Sequence, residues 1–229
     1  MKHVVTPAII LKRIDYGEAD RILTIITPDH GKVSVLAKGV RKTKSKLAGG
    51  LELFSVSDIT FIENKSDLKT LISAQLNVHF RSIVTDIHRT MIAYDFIKYI
   101  DIHSHESCEK TFYELLEVSL QSLNNHHDFV DVAAAWFFAR LLAHMGASVN
   151  IETQSNGQPF SETILYTFNF DDMGFIASKA GTFNPHHIKY LRLLIRADKP
   201  EHLLHVANAS MLSGELLPIL KRAVDLQKH

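Results

Sequence analysis

The spacing of apolar residues changes at Phe80, and that change limits the chain to a strand-rich segment followed by a helical one. Before Phe80, apolar residues come in short, β-branched runs: Ala8 to Leu11, Arg21 to Thr27, Lys32 to Ala37, Phe54 to Glu63 and Leu68 to Asn77. Pro28-Asp29-His30-Gly31 and Asn64-Lys65-Ser66-Asp67 supply turn chemistry between them. Five short strands in about 80 residues predict a small closed barrel, for which the OB-fold is the five-stranded candidate.

After Phe80 the period is helical. Ile83, Ile87, Met91, Tyr94, Ile97 and Ile100 predict one helix from Arg81 to Ile102. A second, from Glu106 to Leu123, places Phe112, Leu115, Leu116, Ser119 and Leu123 on one face. A third, from Val130 to Met145, is apolar almost all round and reads as the central helix of this half, with Gly146 as its C-cap. Residues 147–183 read as a loop and a small hairpin through Thr163–Phe168 and Gly174–Ile176. Helical spacing resumes at Asn184, an N-cap followed by Pro185, and continues in pieces with a kink expected at Pro218. The expected fold class is therefore α+β, with a barrel domain over residues 1–80 and a helical domain over 81–229 that carries a hairpin insertion at about 150–183.

Charge is placed unevenly along this plan. The whole chain balances 25 Lys+Arg against 25 Asp+Glu, yet residues 1–80 hold 12 against 8. The densest feature lies between His30 and Leu51, where Lys32, Lys38, Arg41, Lys42, Lys44 and Lys46 occur with no acidic residue among them. Clustered cations gain by displacing counterions from a polyanion, so the pattern fits a nucleic-acid surface; it fits a solvated basic loop equally well.

Other classes find little support. No apolar run approaches the ~20 residues of a membrane span, and the start of the chain lacks a signal-peptide pattern. The one cysteine, Cys108, excludes an internal disulfide and a cysteine-rich zinc site, so a cytoplasmic location is expected. There is no phosphate-cradling Gly-rich loop, dinucleotide fingerprint or nucleophile elbow. His103-Ser104-His105 after Asp101 has a spacing used for metal ligation, but it converges side chains only on a strand, and here it falls at a helix end. Neither metal, cofactor nor catalytic residues are expected; a metal-dependent hydrolase using His103 and His105 is the remote alternative, and an OB-fold RNA-binding protein the nearer one.

A longer pattern runs through the N-terminal half. Ala8-Ile9-Ile10-Leu11-Lys12, Asp15-Tyr16-Gly17-Glu18-Ala19-Asp20-Arg21, Thr27-x-x-His30-Gly31-Lys32, Ala37-Lys38-Gly39-Val40-Arg41-Lys42-x-Lys44-Ser45-x-Leu47 and Gly49-Gly50-Leu51-x-x-Phe54 occur in fixed order. Together they resemble the bacterial recombination mediators of the RecO family, and Phe138-Ala139-Arg140-Leu141-Leu142-Ala143-x-x-Gly146 looks like that family's central helix. Many members then carry two Cys-x-x-Cys knuckles that bind zinc. Here Thr153-Gln154-Ser155-Asn156-Gly157 and Ala177-Ser178-Lys179-Ala180 stand in their place, so a degenerate zinc-ribbon-like hairpin without metal is expected, held by Phe168, Phe170, Phe175 and Ile176.

The resemblance implies a nucleoid-associated protein that binds single- and double-stranded DNA and anneals complementary strands. It implies help in loading RecA, together with RecR, onto strands coated by single-strand binding protein. DNA binding falls to Lys32, Lys38, Arg41, Lys42, Lys44 and Lys46, extended by Arg13 and Arg21, with Tyr16 and Phe54 the nearby aromatics. Arg140, on an otherwise apolar helix, requires an anionic partner: an internal carboxylate, slightly favoured, or the acidic C-terminal tail of single-strand binding protein.

Overall fold

Strand β3 (Gly31–Ala37) shows how the first segment folds, since Val33, Val35 and Ala37 are buried while Lys32, Ser34 and Leu36 alternate toward the other face. Related patterns build β1 (Lys2–Tyr16), β2 (Asp20–Thr27), β4 (Ser55–Glu63) and β5 (Leu68–His79). The computed structural model describes residues 2–104 and 110–227. The strands close in the order β1-β2-β3-β5-β4, antiparallel throughout except for the parallel β3–β5 pair, giving the expected OB-fold barrel. One strand closes it: the first half of β1 pairs with β4 and the second with β2, around a register shift between Ile10 and Lys12. Ile10, Leu23, Ile25, Val35, Phe61 and Leu71 fill the interior, each worth about 1.5–3 kcal/mol when fully buried.

Two helical segments stand where the periodicity predicts one. Helix α1 (Arg81–Val84) and helix α2 (Ile87–His103) are separated by Asp86, whose carboxylate accepts from the amides of His88 and Arg89 at 2.9 and 3.1 Å. That N-cap starts a new helix and outweighs the apolar period running through it. The predicted apolar row also divides. Of that row Ile83, Ile97 and Ile100 are buried, whereas Ile87, Met91 and Tyr94 are exposed; Ala93 and Phe96, outside the row, are buried in α2. Helix α3 (Lys110–Asn125) buries Leu115, Leu116, Ser119 and Leu123 as expected, while Phe112 of the same predicted face is half-buried. Arg89, also buried, donates to the carbonyl of Asn124 at 3.1 Å, placing its charge at the negative end of α3. Glu106, His105 and Cys108 lie outside the described residues.

The chain forms two compact units, residues 1–125 and 126–229. The change from strand to helix at residue 80 thus falls inside the first unit, which holds α1–α3 as well as the barrel. In the second, helix α4 (Val130–His144) is buried along nearly its whole length; its C-cap is Met145 rather than the expected Gly146, which follows with φ +75°. Helix α5 (Pro185–Arg196) begins at Asn184, with His187 completing a capping box, and helix α6 (Ala209–Leu226) contains Pro218 without being divided by it.

Strands β6 (Tyr166–Asn169) and β7 (Gly174–Ala177) form the predicted hairpin. Phe168 and Phe175 meet edge to face at 5.1 Å, Phe170 sits 4.9 Å from Phe168, and Phe183 sits 5.6 Å from Phe175. Ile176 does not share this packing and is 40% exposed. Gln154 is buried with its amide donating to the Pro159 carbonyl at 2.8 Å, and the Ser155 amide donates to Phe175 at 2.8 Å. Amides committed in this way, with no thiolate or imidazole in either segment, do not fit zinc. No helix among the described residues is long and apolar enough to cross a membrane.

Candidate nucleic-acid interface

The basic cluster lies on the connection between β3 and β4, residues 38–54. Its apolar residues point one way: Val40 and Leu51 are buried in the barrel core, and Leu47 and Leu53 pack against it. Lys38, Arg41, Lys42, Lys44 and Lys46, interleaved with them, are exposed. The barrel is therefore stoppered by the segment that carries the cations, and the stopper faces the cations outward. A short 3-10 turn at Ala48–Gly50 completes it. Gly50 is needed there, because a Cβ on it would lie 2.5 Å from the backbone of Ala74 in β5.

Both ends of the connection are fastened. At its start Gly39, with φ +64°, donates its amide to the Asp20 carboxylate at 2.7 Å. The Arg41 amide donates to the Ala19 carbonyl at 2.9 Å, and its guanidinium reaches the Gly17 carbonyl at 3.4 Å. At the other end Arg13 of β1 donates to the Leu51 carbonyl at 3.3 Å and lies 3.8 Å from Glu52.

Two arginines converge on one acid. Arg21 donates to Asp15 at 2.9 Å and Arg41 lies 3.5 Å from its other oxygen. The Arg21 hydrogen bond, helped by the charges of Arg41, Arg21 and Arg13, holds the Asp15 carboxyl below the usual range. The result is an excess of positive charge around a shallow cleft lined by Arg13, Asp15 and Arg21. Lys38, Lys42, Lys44 and Lys46 make no side-chain hydrogen bond or ion pair among the described residues.

Lys32 is not brought to this cluster. It sits at the far end of β3 from Lys38, about 20 Å along the strand. Its ammonium donates to the Asp101 carbonyl at 2.6 Å and lies 3.6 Å from the Asp101 carboxylate. Of the two candidate aromatics, Tyr16 is 55% exposed at the end of β1. Phe54 is buried edge-on against Tyr94 at 5.0 Å, so no base can stack on it. Sequence reasoning passed over Lys12, which is exposed beside Thr24 and Ser34 on the outer face of β1, β2 and β3. The period-two alternation of Lys12, Ile14 and Tyr16 was the available signal.

Among the described residues Arg140 finds no carboxylate partner. It donates to the Ile195 carbonyl at 3.3 Å, while Trp136, one turn earlier, donates to the Ala197 carbonyl at 2.8 Å. Both therefore serve the C-terminal end of α5, whose dipole and unpaired carbonyls supply the negative partner. His103 ends α2 and Asp101 is engaged by Lys32. Among the described residues no three His, Cys, Asp or Glu side chains gather to hold a metal ion.

Comparison with known proteins bears on this geometry. The family model described as "Recombination protein O N terminal" matches residues 1–79, the barrel strands with their basic connection. The "DNA repair protein RecO" of Desulfatibacillum aliphaticivorans is 35% identical over 155 residues, 66% of this chain and 60% of the relative. That of Dehalococcoides mccartyi strain 195 is 33% identical over 167 residues, 72% of this chain and 64% of the relative. These two matches span less than two thirds of the relatives' own length. The Bacillus subtilis strain 168 protein of the same name is 27% identical over 226 residues, 95% of this chain and 85% of the relative.

Proposed function

Because the chain belongs to the RecO family, we propose that it is a DNA-repair protein that grips sugar–phosphate backbones through the β3–β4 connection. It binds single- and double-stranded DNA, anneals complementary strands, and with RecR helps load RecA onto strands coated by single-strand binding protein. One observation carries this reading: Lys38, Lys42, Lys44 and Lys46 are exposed together, with no ion-pair partner among the described residues, on a connection anchored at both ends. Lysines supply undirected charge, and Arg13, Arg21 and Arg41 can add forked contacts to phosphate. Of the two candidate aromatics only Tyr16 is exposed, so contact falls mainly on the backbone, with little choice of sequence.

Annealing follows from the same charge. Two strands resist pairing because their phosphates repel, and a surface that screens both at once lowers that repulsion. No covalent step is involved, and no catalytic residue or cofactor is assigned. The half-buried Arg140 has one guanidinium nitrogen on the Ile195 carbonyl and donors beyond it, which form the proposed contact for the acidic tail of single-strand binding protein. The proposed setting is the cytoplasm, at the nucleoid.

The test is annealing of complementary labelled DNA strands, bare and coated with single-strand binding protein, beside binding to RNA of the same sequence. Faster annealing on both DNA substrates is expected. Tight RNA binding without DNA annealing would favour a role on RNA. Stoichiometric zinc or manganese in purified protein would reopen a hydrolase using His103 and His105.

A further inference from the structure

An acid beside a polyanion site should weaken binding. Asp20 stands at such a place, at the start of β2, one residue before Arg21 and within hydrogen-bond reach of the basic connection. Its carboxylate makes no ion pair among the described residues and instead accepts the Gly39 amide at 2.7 Å. That contact is short and charge-assisted, and its donor is a backbone group that no side chain can replace. Gly39 is also where the chain takes a left-handed conformation, φ +64°, to leave β3. The bond therefore fixes the residue that sets the direction of everything up to Lys46.

The neighbouring contacts run the same way. The Arg41 amide is held by Ala19 and its guanidinium by Gly17, both in the β1–β2 turn, and by Asp15 near the end of β1. The start of the connection is thus fastened beside the β1–β2 turn, while Lys38, Lys42, Lys44 and Lys46 stay exposed. We propose that Asp20 is a positioning residue for the DNA-binding surface, contributing to affinity through the Gly39 amide although its charge opposes DNA. The proposal rests on the function proposed above, and it deepens that function by naming what presents the lysines.

Positioning and electrostatics predict opposite signs, which makes the test sharp. Binding of fluorescent oligo-dT would be followed by anisotropy at low salt for the wild type, Asp20→Ala, Asp20→Asn and the quadruple Lys38, Lys42, Lys44, Lys46→Ala variant. Asp20→Ala should bind about three- to tenfold more weakly, despite losing a negative charge, because the Gly39 amide loses its acceptor. Asp20→Asn keeps an oxygen acceptor and sheds the charge, so it should bind at least as tightly as wild type. Hydrogen exchange supplies a second readout: protection of the Gly39 amide should be lost in Asp20→Ala and kept in Asp20→Asn.

Asp20→Ala binding as tightly as wild type, or more so, would overturn the proposal, as would Asp20→Asn falling to the same level as Asp20→Ala. Should Asp20→Ala not fold, Asp20→Asn still decides: weaker binding than wild type, or an unprotected Gly39 amide, counts against it. The quadruple lysine variant separates the two levels. If it binds like wild type, the assigned DNA surface is wrong; if it fails while the Asp20 variants match wild type, only the positioning role is.

Discussion

Replacing Lys38, Lys42, Lys44 and Lys46 together by alanine removes four exposed ammonium groups that have no partner among the described residues, while leaving Val40, Leu47, Leu51 and Leu53 in place. If each lysine neutralises one phosphate of a single strand, the slope of log affinity against log salt shrinks by about 0.7 per contact, nearly 3 for four. Between about 50 and 200 mM salt, wild-type affinity then falls roughly 50-fold more than that of the variant. Folding should hardly notice, since exposed side chains without partners change stability by less than about 0.5 kcal/mol. Fluorescence anisotropy with oligo-dT across a salt series measures the first quantity and thermal unfolding the second. Lys32→Ala is the internal control: with its ammonium on Asp101 at the other end of β3, its slope should match wild type. A slope change below about 1 for the quadruple variant, or an equal change for Lys32→Ala, would refute the assignment of these four residues.

Three further outcomes test the scaffold. Gly50→Ala drives a methyl into the Ala74 backbone, so thermal unfolding should report a loss of about 1–3 kcal/mol. Phe175→Ala opens the aromatic cluster of the hairpin and should cost about 3–5 kcal/mol, while a chelator should leave wild-type melting unchanged. Glu117 carries a raised pKa, chiefly from burial, despite the Tyr113 hydroxyl that donates to it at 3.3 Å. A raised folded-state pKa means the contribution is fully present below the unfolded value and is lost as pH rises through the folded one. Glu117→Gln should therefore raise Tm at pH 7, by about 1–2 °C, and the gain should vanish under acidic conditions; a gain that persists at low pH would contradict the burial cause.

The barrel was legible because strands announce themselves through alternation and turn residues, and five of them leave few ways to close. The helices were legible as helices but not always in their boundaries or faces. Asp86 cuts the predicted first helix because a single carboxylate capping two amides outweighs the apolar period running through it. In α2 both sides are apolar, so the exposure of Ile87, Met91 and Tyr94 could not be read from spacing. At the candidate site, the lysines at 38, 42, 44 and 46 were visible as an acid-free run. Lys32 belonged to that run in sequence but not in space, because one strand length separates it from the others. The fastening by Asp15, Ala19 and Asp20 was hidden, since it depends on which backbone amides the β1–β2 turn meets. Arg140 misled for a related reason: the end of a helix can satisfy a guanidinium as a carboxylate does, and sequence does not say which helix ends there.

Amine-reactive labelling of the intact wild-type protein, with and without a saturating single-stranded oligonucleotide, reads the DNA-facing lysines without any mutation. Mass spectrometry of the labelled peptides should show strong protection at Lys38, Lys42, Lys44 and Lys46 and little change at Lys32, Lys65 or Lys69. Protection at the latter group, with the four lysines of the β3–β4 connection still fully reactive, would contradict a backbone grip by that connection.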